Sequence, residues 1–195
     1  MHNGLNESDK ATIGILADTH LPYRMQHLPQ GIFDIFRDVD IILHAGDVDR
    51  IKLLQNLTAL APLYAVRGNL HFTDFSDGGW DLPRELQFTI AGRQVVVTHG
   101  GWPHIWSQAG DWLIESLCRP GKDAFNRRIA NRLAQLYPHA DAVVFGHSHR
   151  PYQAWHGSTM IFNPGAVCPT PGQVPSVGKL YLDADTIKAE VVPLV

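Results

Sequence analysis

The sequence has little cysteine and few charged residues, and each shortage argues against a class of protein. Only two cysteines occur among 195 residues, with no CxxC pair, so we expect no disulfide scaffold and a cytoplasmic location. Charged residues form 18% of the chain, below the usual quarter, which argues against disorder through charge excess. The 16 basic and 19 acidic residues give a net charge of -3, which argues against nucleic acid as the partner.

Long apolar runs are also missing, so we expect no contact with a membrane. The widest span without Asp, Glu, Lys or Arg is Pro151 to Gly178, and its prolines and glycines interrupt any helix that could cross a bilayer. Residues 1–10 lack the basic and apolar regions of a signal peptide and are interpreted as a polar leader. No feature of the sequence indicates an oligomeric state.

The sequence does contain short apolar runs, rich in β-branched residues, that are typical of strands buried on both faces. The first three alternate with candidate helices at Gly31–Asp38 and Arg50–Leu60, which predicts a β-α-β-α-β start to a partly parallel sheet. Turn residues predict three later hairpins. The runs are Ala11–Ala17, Ile41–Leu43, Leu63–Val66, Val95–Val97 and Ala142–Phe145.

The length predicts one domain over residues 1–195, and the 45% hydrophobic content suits a single core. A helix is predicted over Lys122–Tyr137, where apolar residues recur at helical spacing before Pro138. The residues before this helix are rich in Trp, Gly and Pro. We therefore interpret about 101–137 as an insertion in the domain.

A small polar cluster follows each apolar run. Loops at the carboxyl ends of parallel strands converge on one crevice, so side chains from these clusters are expected to meet there. Two carboxylates, one amide oxygen and four imidazoles would then share the crevice. The clusters are Asp18-Thr19-His20, His44-Ala45-Gly46-Asp47, Gly68-Asn69, Thr98-His99-Gly100 and Gly146-His147-Ser148-His149.

Such a polar group is costly to bury, and divalent cations would compensate that cost. The oxygen and nitrogen donors suit Mn, Fe, Zn, Ni or Co. Seven donors are too many for one tetrahedral site, but they suit two ions that share a carboxylate, an arrangement used for in-line displacement at phosphorus. The candidate ligands are Asp18, His20, Asp47, Asn69, His99, His147 and His149.

Each motif alone has an ordinary explanation. Asp-x-His after a strand arises by chance, Gly46-Asp47 suits a helix cap, and Gly68-Asn69 suits a turn. The ordered set of five, each at the end of a run, favours a functional site.

The order D-x-H, G-D, G-N, H-G and G-H-x-H resembles the calcineurin-like metallophosphoesterase family, in particular its small single-domain prokaryotic phosphodiesterase branch. The phrases VRGN at 66–69 and FNPGA at 162–166 strengthen the resemblance, which spans about 13–192. It implies an α/β fold: a four-layer α-β-β-α sandwich with two mixed sheets.

The resemblance also implies how the ligands divide between two divalent ions, with Asp47 as the bridge. One ion would be held by Asp18, His20, Asp47 and His149. The other would be held by Asp47, Asn69, His99 and His147.

Two positions depart from the pattern of the family. Leu70 stands where many relatives have a histidine that protonates the leaving group, and Gly101 stands where a second histidine is usual. His71 is the candidate general acid, with His104 as an alternative; both are equally explained as loop residues. Arg67 is a candidate contact for substrate phosphate, or a surface ion-pair partner.

The leading hypothesis is a dinuclear-metal phosphodiesterase that acts on small phosphate esters by in-line attack of a metal-bridging hydroxide. A non-catalytic scaffold on the same fold and a nonspecific nuclease are the alternatives. Basic side chains of the predicted helix could line an anionic substrate, but a solvated face is the simpler interpretation. These side chains are Lys122, Arg127, Arg128 and Arg132, together with Arg119 just before the helix.

Overall fold

A computed structural model describes residues 8–21, 24–48, 50–69, 82–101, 124–169 and 171–194. The described residues form β1 Lys10–Leu16, α1 Gly31–Ile35, β2 Ile41–His44, a 3₁₀ helix Ile51–Ala59, β3 Leu63–Ala65, β4 Glu85–Ile90, β5 Arg93–Thr98, α2 Ala124–Leu136, β6 Ala142–Val144, β7 Tyr152–His156, β8 Thr159–Asn163, β9 Ser176–Asp183 and β10 Ile187–Pro193.

The strands form two five-stranded sheets, each with parallel and antiparallel pairs. Sheet A has the order β10-β9-β1-β2-β3, in which β1, β2 and β3 run parallel. Sheet B has the order β4-β5-β6-β8-β7, in which β5, β6 and β8 run parallel. The predicted parallel start and the three hairpins are present. The carboxyl ends of three neighbouring parallel strands therefore lie side by side in each sheet.

Three apolar clusters join these elements into four layers. Side chains of both sheets, such as Ile13, Ile15 and Phe162, pack into the cluster between the sheets. The outer face of sheet A packs against α1 and the 3₁₀ helix, and Ile129 of α2 packs against the outer face of sheet B. Each fully buried aliphatic or aromatic side chain contributes about 1.5–3 kcal/mol. The predicted α-β-β-α sandwich of two mixed sheets is confirmed.

An aspartate aligns the first parallel strand pair of each sheet in the same way. The carboxylate of Asp40, just before β2, accepts a hydrogen bond from the backbone N–H of Thr12 at 2.7 Å. The carboxylate of Asp141, just before β6, accepts one from the backbone N–H of Gln94 at 2.7 Å. Both contacts lie at the amino ends of the parallel strands. They help to fix the register that brings the opposite ends, with their polar loops, into line.

Two local predictions need correction. The segment predicted as a helix over Arg50–Leu60 is a 3₁₀ helix, and α1 ends at Ile35 rather than at Asp38. Residues 102–123, the larger part of the predicted insertion, lie outside the described residues. Among the helices that are described, none is long and apolar enough to cross a membrane.

Candidate metal centre

Four candidate ligands from three different loops form a first donor group, defined as Asp18, His20, Asp47 and His149. One donor atom from each lies within 4.8 Å of the others. Nε2 of His20 lies 3.3 Å from Nε2 of His149 and 3.6 Å from Oδ2 of Asp47. Nε2 of His149 lies 3.5 Å from Oδ1 of Asp18. The loops after β1, β2 and β6 therefore meet at one point.

A second donor group, defined as Asp47, Asn69, His99 and His147, adjoins the first. Nε2 of His99 lies 3.5 Å from Oδ2 of Asp47. Nδ2 of Asn69 lies 2.9 Å from Nδ1 of His147. The rings of His99 and His147 meet edge to face, with centroids 5.2 Å apart. The structure thus brings all seven candidate ligands of the sequence analysis into two adjoining groups, which have Asp47 in common.

Backbone strain is concentrated at these residues. Among the described residues, the non-glycine positions with positive φ are Ala91 and five of the candidate ligands. This conformation is disfavoured for residues with a Cβ, and strained positions of this kind gather at functional sites. The five ligands are Asp18, His20, Asp47, His147 and His149, with φ between 48° and 69°.

Glycines beside the ligands allow the loops to approach closely. A Cβ on Gly68 would lie 1.9 Å from Oδ1 of Asp47, and one on Gly46 would lie 2.5 Å from Nδ1 of His99. The close approach lets the backbone N–H of Asn69 donate to Oδ1 of Asp47 at 2.8 Å. Any side chain at position 68 would displace the shared carboxylate.

Backbone carbonyls fix the tautomers of two histidines. Nδ1 of His99 donates to the carbonyl of Ala45 at 2.8 Å, and Nδ1 of His149 donates to the carbonyl of Cys168 at 3.2 Å. In its neutral form, each ring therefore directs the lone pair of Nε2 toward a carboxylate. This orienting contact from the far side of the ring is typical of histidines that bind metals.

The histidines of the site differ in the direction in which their pKa values are shifted. Burial lowers the pKa of His147 to about 3 and that of His149 to about 4, so both rings are neutral at pH 7. Burial would also lower the pKa of His99, but the negative charges of Asp47 and Asp18 outweigh it and raise this pKa to about 9. In the absence of a cation, a proton on His99 offsets the charge of the carboxylates.

A chain of hydrogen bonds beneath the ligands joins the loops after β1 and β2. The backbone N–H of Gly46 donates to Nδ1 of His44 at 3.1 Å, so Nε2 of His44 carries the proton and donates to Oγ1 of Thr19, also at 3.1 Å. The hydroxyl of Thr19 then donates to the carbonyl of Asp47 at 3.3 Å. Burial lowers the pKa of His44 to about 3, which keeps this chain of bonds intact at neutral pH.

Asn163 supports the loop that carries His147 and His149. Its Nδ2 donates to the carbonyl of Gly146 at 2.7 Å and to Oγ of Ser148 at 3.1 Å. Its Oδ1 accepts the backbone N–H of Gly165 at 2.8 Å. The FNPG segment therefore positions the loop without supplying a donor atom to either group.

The donor set fits divalent cations. Donors bonded to one ion at about 2.1 Å stand about 3.0–3.4 Å from one another, and donor distances in the first group start at 3.3 Å. The buried Nε2 of His99 makes no hydrogen bond with any residue that the structure describes, and it faces a carboxylate oxygen. A cation between these two atoms would satisfy both of them.

The family of the chain follows from a comparison of sequences. A family model described as the calcineurin-like phosphoesterase superfamily domain matches residues 12–185. The chain belongs to this superfamily. A probable metallophosphoesterase from Methanothermobacter thermautotrophicus is 31% identical over 186 residues, which cover 92% of this chain and 91% of the relative. The resemblance carried by the sequence motifs is confirmed at the level of the superfamily.

Several solved structures of other proteins share the fold. A protein described as a novel archaeal phosphodiesterase has a TM-score of 0.60 and 19% identity, with 94% of this chain and 99% of the other covered. Vacuolar protein sorting 29 from Cryptosporidium parvum has a TM-score of 0.62 and 17% identity, with 94% and 97% covered. Identities this low indicate a common fold alone.

Of the other residues named in the sequence analysis, some are described by the structure and some are not. Arg67 is half-buried directly before Gly68, and its backbone N–H donates to the carbonyl of Pro83 at 2.8 Å. His71, Leu70 and His104 lie outside the described residues. The interpretation of the basic side chains on α2 as a solvated face is wrong for Arg132, which is half-buried and donates to backbone carbonyls next to His99.

Proposed function

We propose that this protein is a dinuclear-metal phosphoesterase that hydrolyses small phosphate esters, and diesters in particular. The position of Asp47 is the observation that carries the proposal. Its Oδ2 lies 3.6 Å from Nε2 of His20 and 3.5 Å from Nε2 of His99. One carboxylate oxygen thus faces both donor groups, as a ligand shared by two ions can.

In this proposal the first donor group holds one ion and the second donor group holds the other. The mixture of carboxylate, amide and imidazole donors favours Mn, Fe, Zn, Ni or Co. When bound, two such ions supply a nucleophile from water near neutral pH and neutralise the charge that develops on the phosphoryl oxygens.

The chain's own residues prepare the site for this reaction. His147 and His149 are neutral, with pKa values lowered by burial, and so present lone pairs without first losing a proton. Asp47 is held by the backbone N–H of Asn69. We assign Arg67 as a bidentate contact to substrate phosphate, because it is half-buried on the loop that carries Asn69. His71 is assigned as the donor of a proton to the leaving group.

A non-catalytic scaffold on the same fold is the rival hypothesis. A scaffold needs no buried set of carboxylates and imidazoles, whose desolvation costs free energy without a cation. The burial of four of these polar side chains therefore favours the enzyme. They are Asp18, His20, Asp47 and His99, each at most 4% exposed. The acidic net charge argues against a nuclease, and the scarcity of cysteine supports a cytoplasmic location.

Hydrolysis by the protein loaded with each metal in turn tests the proposal. Bis-p-nitrophenyl phosphate, p-nitrophenyl phosphate and a single-stranded DNA serve as diester, monoester and nuclease substrates. We expect the diester to have the highest kcat/KM. His99→Asn should reduce this value at least 100-fold, because it removes a donor of the second group, whereas the exposed His139→Asn should leave it unchanged. Absence of ester hydrolysis with every metal would support the scaffold instead.

A further inference from the structure

Helix α2 contacts both of the sheet B loops that carry donors. Nη2 of Arg132 donates to the carbonyl of Gly100, and to that of Gly101 at 3.3 Å. Near the start of the helix, Nδ2 of the buried Asn126 donates to the carbonyl of Arg150 at 3.2 Å. The ring of Phe125 lies 5.8 Å from that of His147, centroid to centroid. One helix thus touches the loop after β5 and the loop after β6.

Arg132 differs from its neighbours on the helix. Arg127 and Arg128 are exposed, whereas Arg132 is half-buried. Nη2 of a guanidinium group carries two N–H bonds that are fixed in the plane of the group, so this one nitrogen can donate to two adjacent carbonyl oxygens at the same time. The two carbonyls are thereby linked to each other and to the helix. Arg132 therefore connects α2 to the turn that follows His99.

The turn held by Arg132 packs directly against another donor. A Cβ added to Gly101 would lie 2.7 Å from Oδ1 of Asn69 and 3.7 Å from Cε1 of His147. The backbone at Gly101 therefore forms part of the wall that confines the Asn69 amide. A shift of this turn would move His99 on one side and release Asn69 on the other.

We propose that Arg132 is a positioning residue for the second donor group. Arg132 acts on the donors indirectly. It binds the carbonyls of Gly100 and Gly101, and this contact keeps the turn after His99 against Asn69. The inference rests on the proposed function, because it assumes that the second donor group binds an ion.

Calorimetric titration of the metal-free protein, with Mn²⁺ and separately with Zn²⁺, tests the inference. Each titration measures the affinity of the protein for the first and for the second ion that it binds. The variant is Arg132→Gln, and the matched control is Arg127→Gln on the exposed face of the same helix. Loss of a contact that orients metal ligands typically weakens affinity by about 10–100-fold. We expect a loss of this size for one of the two ions in Arg132→Gln, a change of less than about twofold for the other ion, and no change in the control.

Arg132→Lys provides the conservative comparison. Lysine keeps the charge and three N–H donors on one nitrogen but lacks the fixed planar geometry of arginine, so this variant should retain more affinity for the weakened ion than Arg132→Gln does. If Arg132→Gln does not fold, a several-fold loss for one ion in Arg132→Lys supports the inference.

The possible results separate the inference from the proposed function. Wild-type protein that binds fewer than two ions would contradict the proposed function, and the inference with it. Wild-type protein that binds two ions, together with unchanged or equally weakened affinity for both ions in the folded Arg132 variants, would overturn the inference alone.

Discussion

His99 combines two opposing influences on a single ring. Burial disfavours its charged form, yet the carboxylates of Asp47 and Asp18 raise its pKa to about 9. A histidine must lose the proton on its donor nitrogen before it binds a metal. The metal-free protein therefore carries a proton at pH 7 that an incoming ion has to displace from Nε2, because Nδ1 is bonded to the carbonyl of Ala45.

Metal binding is expected to release this proton. At pH 7 the wild-type protein should release about one proton more than His99→Gln, and its apparent metal affinity should rise by about tenfold per pH unit up to pH 9. Above pH 9 the ring is already neutral and this dependence should disappear. Calorimetry in buffers of different ionisation enthalpy measures the number of protons. Equal proton release by the two proteins would contradict the raised pKa.

The absence of a side chain at Gly68 leaves room for the carboxylate of Asp47 in the site. A Cβ at this position would lie 1.9 Å from the carboxylate of Asp47, whereas a Cβ on Gly31 has no neighbour closer than Leu194 Cδ2 at 4.0 Å. Gly68→Ala should therefore lower metal affinity by at least 10-fold, and Gly31→Ala should leave it unchanged. Titration with Mn²⁺ checks both variants. Similar affinities for the two would show that the loop after β3 can move away from Asp47 without cost.

At the scale of elements, the ends of β1 and β2 are joined by the buried side chains of His44 and Thr19. Their hydrogen bonds run in one direction, from Gly46 to His44, then to Thr19 and to the carbonyl of Asp47. Thr19 stands between two candidate ligands in the sequence. Its hydroxyl therefore sets the spacing between the loop of Asp18 and His20 and the loop of Asp47.

Thr19→Val keeps the shape of this side chain but removes its hydroxyl. The buried Nε2–H of His44 then loses its acceptor, which should lower the free energy of unfolding by about 1–3 kcal/mol. Urea unfolding of the metal-free protein measures this loss. Thr19→Ser should restore most of the stability, and the exposed Thr58→Val serves as the control. If Thr19→Val changed the free energy of unfolding by less than about 0.5 kcal/mol, the hydrogen bond would not stabilise the connection between the ends of β1 and β2.

The elements that the sequence predicts well are those with a strong local signal. The apolar runs at 11–17 and 142–145 indicate buried strands, and the polar residues that follow them lie in the converging loops. The expectation that the loops at the carboxyl ends of the strands converge brought His20 and His149 together, although 129 positions separate them and their strands lie in different sheets. The periodicity of α2 likewise predicted its carboxyl end to within one residue.

Features that depend on contacts between distant segments had no such signal. Hydrophobic spacing does not separate an α-helix from a 3₁₀ helix, so the form of Ile51–Ala59 was missed. The role of Arg132 depends on carbonyls about thirty residues away, and the other two arginines of the helix, Arg127 and Arg128, are exposed. The contact of His99 with the carbonyl of Ala45 also arises only when the two sheets pack together.

At the scale of the whole molecule, the candidate centre lies where the two sheets meet. Sheet A contributes the loops of Asp18, Asp47 and Asn69, and sheet B contributes the loops of His99 and His147. Five of the candidate ligands have positive φ, at a cost of order 1–3 kcal/mol each. The metal-free fold sustains this strain through the packing of the sheets, and bound cations would add a direct connection between them.

Removal of metal should therefore destabilise the entire fold. An ion at 100 times its dissociation constant stabilises the folded state by about 2.7 kcal/mol, which for a chain of this size corresponds to a rise in Tm of about 5–10 °C. Thermal unfolding followed by circular dichroism with added Mn²⁺ or EDTA measures the effect. His99→Gln should show a smaller rise than the exposed His139→Gln. An equal Tm with and without metal would show that the centre does not connect the sheets.

The central claim is that two ions share the carboxylate of Asp47. The most direct test of this claim is to measure the metal content of gel-filtered wild-type protein and of Asp47→Asn. Inductively coupled plasma mass spectrometry gives the number of ions per chain. Asparagine keeps the size of the side chain, and circular dichroism verifies the fold. Two ions per wild-type chain and less than one per chain of the folded variant are the predicted result, because a ligand of both ions has been weakened. Two ions per chain in the folded variant would contradict the account.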